Sequence, residues 1–63
     1  DALYLILKQF LPLLSEHENA DVRAGAAQVM KNWRALGCMP EELVRYYDTL
    51  CNDARGRVRK AAM

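Results

Sequence analysis

Residues 21–27 read DVRAGAA, and residues 57–62 read RVRKAA. The two stretches share the pattern V-R-x-x-A, which begins at Val22 and begins again at Val58, 36 residues later. The same offset superposes Leu7 on Leu43, Phe10 on Tyr46, Leu11 on Tyr47 and Leu14 on Leu50. A period of this length is typical of chains built from stacked supersecondary units. We therefore expect a helical repeat rather than a single closed bundle.

The first unit contains two segments with helical periodicity, separated by a short polar break. Residues 2–14 are apolar on nearly every side, so we expect a helix over about 2–15 that is buried on several sides. One face of this helix carries Leu3, Leu7, Phe10 and Leu14. A second helix is predicted over 20–36, with Asn19 as its N-cap and Gly37 as its stop. Its apolar stripe comprises Val22, Ala26, Val29, Trp33 and Leu36.

The second half of the chain repeats this order of helix, polar break and helix. Pro40 favours the first position of a helix over about 40–51. The apolar side of this third helix is formed by Leu43, Tyr47 and Leu50. A fourth helix is predicted over about 57–63, after a second polar break. The chain as a whole is therefore predicted to be all-α.

The size of the chain argues against catalysis. It has 63 residues and a formal net charge of +1, and 52% of its residues are hydrophobic. A chain this short buries only about 60% of the surface that it exposes when unfolded, which leaves little room for a catalytic cleft beside the core. The single histidine, His17, lies in a polar break, and Glu41 and Glu42 fit the first turn of a helix. We expect no enzyme activity, no catalytic residue and no cofactor.

Cysteine and hydropathy patterns give no sign of a metal site or a membrane span. Cys38 and Cys51 do not form a C-x-x-C pair, and we expect both to be reduced thiols. Together with His17 they supply three possible ligands, which is too few for a closed four-ligand zinc site. The longest apolar run, residues 2–7, is far shorter than the ~20 residues that a membrane helix needs.

The order of motifs resembles a HEAT repeat. Residues 11–14 read LPLL, a polar break follows, and DVRAGAA then opens the second helix. The family is similar in having a proline in its first helix and a Val-Arg pair with small residues in its second. The resemblance implies antiparallel helical hairpins stacked as a right-handed α-solenoid. Residues 1–36 then form one HEAT-like repeat and residues 37–63 a truncated second one, about one and two-thirds repeats in all.

The same resemblance implies a set of contacts between neighbouring repeats. In the family, an aspartate in the break and the arginine after the valine form hydrogen bonds that link one repeat to the next. Asp53 and Arg59 match these positions in the second unit, and Arg23 matches in the first. The chain departs from the pattern at His17, which stands where the first aspartate would be, and at Asp48, which stands at the position of Pro12.

The resemblance implies a scaffold that binds other protein subunits and flanking HEAT repeats, in the cytoplasm or the nucleus. One alternative is nucleic-acid binding through the basic strip at residues 55–60, which read RGRVRK. The candidate contacts for a partner or a nucleic acid are Arg55, Arg57, Lys60 and Tyr46. A second alternative is a small helical oligomerisation module. Because the chain opens inside an apolar stretch and stops about two turns into a helix, we also expect a fragment that self-associates when isolated.

Overall fold

The chain folds into four α-helices over the part that the computed structural model describes, residues 2–63. Helix α1 spans Ala2–Ser15 and helix α2 spans Ala20–Leu36. A 3-10 turn at Glu41–Leu43 leads into α3, Val44–Cys51, and α4 spans Gly56–Ala62. The prediction of an all-α chain is confirmed for these residues. The first unit, residues 1–36, begins at Asp1, which lies outside the described residues.

Both ends of α2 are closed by local hydrogen bonds that its sequence specifies. The Asn19 side chain accepts a hydrogen bond of 2.8 Å from the backbone N–H of Asp21, which satisfies a donor of the first turn. Gly37 adopts a left-handed φ of 75°, where a side chain would be strained. Its N–H donates to the carbonyl of Arg34, and the N–H of Cys38 donates to the carbonyl of Trp33. This pair of bonds is the Schellman arrangement, and it stops the helix.

The third helix begins later than its sequence predicts. Pro40 keeps an extended ψ of 139°, so it precedes the helix instead of occupying the first position. The N–H of Leu43 donates to the carbonyl of Pro40, which closes a 3-10 turn, and regular α-helix starts at Val44. Helix α4 differs in the other direction, since it starts at Gly56, one residue before its predicted start.

Helix α1 is not buried on several sides as expected, and of its predicted face only Leu14 packs against the core. Leu11 and Ser15 are the buried residues of this helix, whereas Leu3 and Phe10 are more than half exposed. Because the helix is apolar almost all round, its pattern does not distinguish the side that meets the core. Ser15 tolerates burial because its hydroxyl donates a 2.9 Å hydrogen bond to the carbonyl of Pro12.

The core lies where α2 meets α4, α1 and α3. Its largest fully buried side chains are Leu11, Met30, Leu43, Leu50 and Val58. Ala26 and Ala27 of α2 and Ala62 of α4 are buried beside them. Alanine side chains are short, so these helices approach closely. The predicted stripe of α2 is wrong at Leu36, which is 78% exposed, because α2 contacts three helices and its buried side is turned toward Ala27 and Met30.

Two tyrosine hydroxyls donate hydrogen bonds to backbone carbonyls at or just beyond the ends of other helices. The hydroxyl of Tyr47, which is buried as its stripe predicts, donates to the carbonyl of Ala62 at the end of α4. The hydroxyl of Tyr4 donates to the carbonyl of Cys38 at 2.9 Å, and its ring lies 4.7 Å from that of Trp33. Trp33 is therefore partly buried at the edge of the core and packs against α1. Within residues 2–63 no helix combines the length and the apolar character needed to cross a bilayer.

The difference between the predicted and observed sides of α2 is directly testable. Replacing Met30 with alanine should lower the free energy of unfolding by about 2–5 kcal/mol, because it leaves a cavity among fully buried side chains. The matched substitution Leu36→Ala should change it by less than about 0.5 kcal/mol, because Leu36 already faces water. Urea titrations followed by circular dichroism measure both values. Equal losses for the two variants would contradict the observed orientation of α2.

Candidate functional site

The two polar breaks of the chain make the same hydrogen bonds at the 36-residue offset. In the first break, the N–H of Asn19 donates to Nδ1 of His17 at 3.0 Å. In the second, the N–H of Arg55 donates to Oδ1 of Asp53 at 2.9 Å. The backbone N–H groups of His17 and Asp53 donate in turn to the carbonyls of Leu14 and Leu50. In each break a side-chain atom thus accepts a hydrogen bond from the backbone N–H two residues later; this atom is a histidine ring nitrogen in the first break and a carboxylate oxygen in the second.

The arginine of each V-R pair holds the break that precedes its own helix. Nη1 of Arg23 donates to the carbonyl of His17 at 2.8 Å and to that of Glu18 at 2.9 Å. Nη1 of Arg59 donates to the carbonyl of Asp53. The guanidinium therefore supplies donors to backbone acceptors that lie outside regular helix. The sequence match between the two units extends to the hydrogen bonds that shape their turns.

A largely buried ion pair joins the first unit to the second. Nε of Arg23 lies 2.8 Å from Oδ2 of Asp53, and Nη2 donates to Oδ1 at 3.3 Å. The side chains are only 17% and 10% exposed, respectively. Two parallel N–H···O bonds between a guanidinium and a carboxylate fix both distance and orientation. We call this pair the inter-unit link.

The electrostatics of the link keep Asp53 ionised. The backbone N–H of Arg55 has the largest effect and lowers the pKa of Asp53 below its usual value. The hydrogen bond from Arg23 lowers that pKa further, and the partial burial of the carboxylate opposes both effects. The carboxylate therefore remains a charged acceptor for the guanidinium at neutral pH.

The three residues expected to form a ladder lie in this network, in an arrangement that the resemblance does not specify in full. Asp53 receives Arg23 of the first unit on its carboxylate and Arg59 of its own unit on its backbone carbonyl. The side chain of Asp53 thus binds the other unit, while its backbone carbonyl accepts a hydrogen bond that stabilises its own turn. His17, which the sequence places in a polar break at the position of the first aspartate, is exposed and accepts a hydrogen bond from the N–H of Asn19.

The basic strip is partly neutralised by the first unit. Arg57 forms an ion pair with Asp21 at the start of α2, and both side chains are about two-thirds exposed. Arg59 is partly buried in the network of the second break. Arg55 and Lys60 are exposed. Of the four cations in the strip, two are therefore used in contacts within the chain.

Tyr46 lies in a surface cleft between the end of α1 and α3. The cleft has a volume of about 380 Å³ and is lined by Ser15, Glu16, Arg45, Tyr46 and Thr49. The guanidinium carbon of Arg45 lies 5.0 Å from the centre of the Tyr46 ring, and Nη2 of Arg45 donates to the Tyr46 hydroxyl at 3.2 Å. The sequence singled out Tyr46 but not Arg45 or Glu16. No spacing rule connects Glu16 to α3, so only the folded chain brings them together.

A further ion pair, which sequence reasoning missed, joins α1 to the 3-10 turn. Nζ of Lys8 lies 2.7 Å from Oε1 of Glu42, with the Lys8 side chain partly exposed and that of Glu42 exposed. The hydrogen bond and the charge of Glu42 raise the pKa of Lys8, and the hydrogen bond from Lys8 lowers the pKa of Glu42. Because the two residues are 34 positions apart and belong to no shared motif, nothing in the sequence indicates the pairing.

The thiols and the carboxylates do not gather in one place. Cys38 is exposed and Cys51 partly buried, and both are free thiols. Across residues 2–63, histidine, cysteine, aspartate and glutamate side chains form no group of three or more able to hold a metal ion. The polar groups that do converge are the inter-unit link and the Arg45–Tyr46 pair, which suit binding and positioning.

The inter-unit link should make Asp53 the acidic residue on which stability depends most. Asp53→Ala leaves the guanidinium of Arg23 without its carboxylate in a largely buried position, so unfolding should become easier by about 1.5–3 kcal/mol. Asp48→Ala and Glu18→Ala alter exposed residues and should each cost less than about 0.5 kcal/mol. Denaturant titrations of the three variants, and a double-mutant cycle with Arg23→Ala, give the comparison. Equal costs, or a coupling energy of zero, would remove the link as a stabilising contact.

Comparison of the chain with protein-family models, with curated proteins and with solved structures found no match.

Proposed function

We propose that this chain is a segment of a HEAT-type α-solenoid that serves as a scaffold for protein–protein interaction. The observation that carries the proposal is the matching pair of breaks, joined by the ion pair of Arg23 and Asp53. Each unit of a stacked array contacts its neighbours, and this ion pair is such a contact between two successive units. The packing of α4 against α2 supports the same arrangement.

In this proposal the chain acts through its shape and its surfaces. Residues 1–36 and 37–63 are successive repeats, stacked with a right-handed turn, and other repeats flank them. One helix of each pair lines the concave side of the array and the other lines the convex side, which creates an extended surface for other subunits. We propose a location in the cytoplasm or the nucleus, which follows from the family resemblance.

The cleft that contains Arg45 and Tyr46 is the proposed contact surface for a protein partner. Arginine and tyrosine are enriched among the residues that dominate binding energy at protein interfaces. Here the guanidinium is already held over the ring, so a partner does not have to order both side chains on binding. The exposed Glu16 at the cleft edge adds an acceptor.

Nucleic-acid binding is the less favoured function for specific reasons. The chain carries a net charge of only +1, and Asp21 already pairs with Arg57 of the basic strip. Phosphate neutralisation dominates nucleic-acid affinity, so the two remaining exposed cations of the strip, Arg55 and Lys60, support only weak binding at physiological salt. The strip also contains no aromatic residue on which bases could stack.

The repeat architecture can be tested by adding a unit. A second copy of residues 4–39, carrying His17→Asp, is inserted after residue 39, so that Gly37 still ends α2 in both copies. The Arg23 guanidinium of the first copy can then bind the new carboxylate as Arg23 binds Asp53. We expect one cooperative transition and a free energy of unfolding higher than that of the 63-residue chain, since each stacked unit adds an interface.

The matched control for this insertion keeps His17 unchanged. It should be less stable than the His17→Asp insertion by about 1.5–3 kcal/mol, the size of a charge-assisted hydrogen-bonded contact. Guanidinium titrations measure both chains. Separate unfolding of the inserted unit, or identical stability of the two insertions, would overturn the stacked arrangement.

The class of partner is tested by crosslinking from the cleft. A photoreactive residue at Thr49, which lines the cleft, should give adducts in cell extract that nuclease leaves unchanged and that mass spectrometry identifies as crosslinks to peptides. Arg45→Ala should reduce their yield about tenfold, the change expected of a residue that dominates binding. Arg34→Ala is the matched control, because Arg34 lies over the Tyr47 ring at 5.8 Å in the neighbouring groove. Adducts that nuclease removes, and that Arg55→Glu with Arg57→Glu abolishes, would favour nucleic acid.

A further inference from the structure

The side of α1 that faces away from the core carries a continuous apolar surface. Its members are Leu3, Ile6, Phe10 and Leu13, with exposed fractions of 62%, 50%, 51% and 67%. At 100° per residue these four side chains fall within about a quarter of the helix circumference. We call them the outer stripe. Lys8, the one charged residue in 2–14, lies on the opposite side of the helix and is held by Glu42.

The packing shared by the two units does not require the whole of this surface. At the 36-residue offset Ile6 corresponds to Glu42 and Leu13 corresponds to Thr49, and both counterparts are polar and exposed. Leu3 and Phe10 correspond instead to Met39 and Tyr46, which pack against the core. At Ile6 and Leu13 the first unit therefore carries apolar side chains where the second unit carries polar ones, so burial of these two side chains belongs to a contact that only the first unit makes.

The spacing of the outer stripe indicates what can cover it. The residues are separated by three, four and three positions, which is the repeat of a two-helix coiled-coil seam. This spacing reads the same in both chain directions. When a second α1 is laid antiparallel on the first, Leu3 meets Leu13 of the copy and Ile6 meets Phe10 of the copy, each contact occurring twice. An interface of this kind is self-complementary, as a two-fold dimer requires.

The area of the surface fits a weak, concentration-dependent contact. The outer stripe exposes about 400 Å² of apolar surface, taking on the order of 100 Å² for each half-exposed side chain of this size. That value lies within the range of the largest patches on monomeric proteins. Two copies bury about 800 Å² between them, which is the size of a weak or transient interface.

We propose that the chain forms a homodimer in which α1 packs antiparallel on α1 of a second copy, around a two-fold axis beside residue 8. The apolar side chains of the two stripes are then buried against each other. The Lys8 side chains stay on the far sides of the helix pair, so the axis brings no like charges together. This inference goes beyond the scaffold proposal and does not depend on it.

The test uses two variants of the chain that complement each other. Ile6→Glu and Phe10→Lys each place two unpaired charges in the homodimer seam, so each should raise the dissociation constant by on the order of 100-fold or more. When the two variants are mixed, the glutamate introduced in one chain faces the lysine introduced in the other. The unchanged Phe10 of the first chain then faces the unchanged Ile6 of the second. The mixture should therefore form a heterodimer, whereas a parallel pairing would leave both charges unpaired.

Sedimentation equilibrium over a range of concentrations measures these associations, with circular dichroism to verify that each variant stays helical. We expect the unchanged chain to reach twice its 7.2 kDa mass, and each variant alone to remain at the single mass. The matched control is Leu36→Glu, which puts the same charge on an apolar residue that is 78% exposed outside the stripe, and it should leave the dimer intact. A monomeric unchanged chain, equal dissociation by Leu36→Glu, or a mixture that fails to associate would each overturn the proposal.

Discussion

The contact between Arg23 and Asp53 decides how the two halves of this small chain sit against each other. One guanidinium donates to two carbonyls of the first break and to the carboxylate of the second. Because the fork of donors is planar and rigid, the two breaks must lie at a defined distance and orientation. Helices α2 and α4, which leave these breaks, are then guided into close packing through their alanines.

Helix α1 introduces a different constraint. Its inner side, around Leu11, completes the core, while its outer side carries residues as apolar as the core itself. Each exposed apolar side chain on the outer side forgoes the gain of burial, so a contact that covers this side would stabilise the helix further. Within residues 2–63 no other helix covers the outer side. Packing in the core therefore explains the apolar residues on the inner side of α1 but not those on its outer side.

Most of the polar groups described here stabilise the turns between helices. The hydrogen bonds of His17, Asp53, Arg23 and Arg59 stabilise the turns between helices. The Arg45–Tyr46 pair, in contrast, is pre-arranged at a surface cleft. The buried charges therefore position the helices, and the surface residues are left to bind a partner. This division agrees with the scaffold role that we propose.

Local pattern was sufficient to indicate which segments are helical, the capping of α2 by Asn19 and Gly37, and the buried side of α3. These features depend on residues within one or two turns of each other, so short-range spacing and cap chemistry determine them. The match of Arg23 with Arg59 was also visible along the chain as a repeated pattern, and the family resemblance pointed to Asp53 as a third member of the contacts between units.

The inner side of α1, the rotation of α2 toward Met30 and the pairing of Lys8 with Glu42 follow instead from how the helices pack. A helix that is apolar all round has no preferred side until its neighbours are in place, and α2 has three neighbours. Ion pairs between residues 34 positions apart likewise depend on the approach of helices rather than on spacing along the chain. The helical segments and the ends of α2 are thus local properties of the residues, whereas the side chains that face the core or the solvent are set by long-range packing.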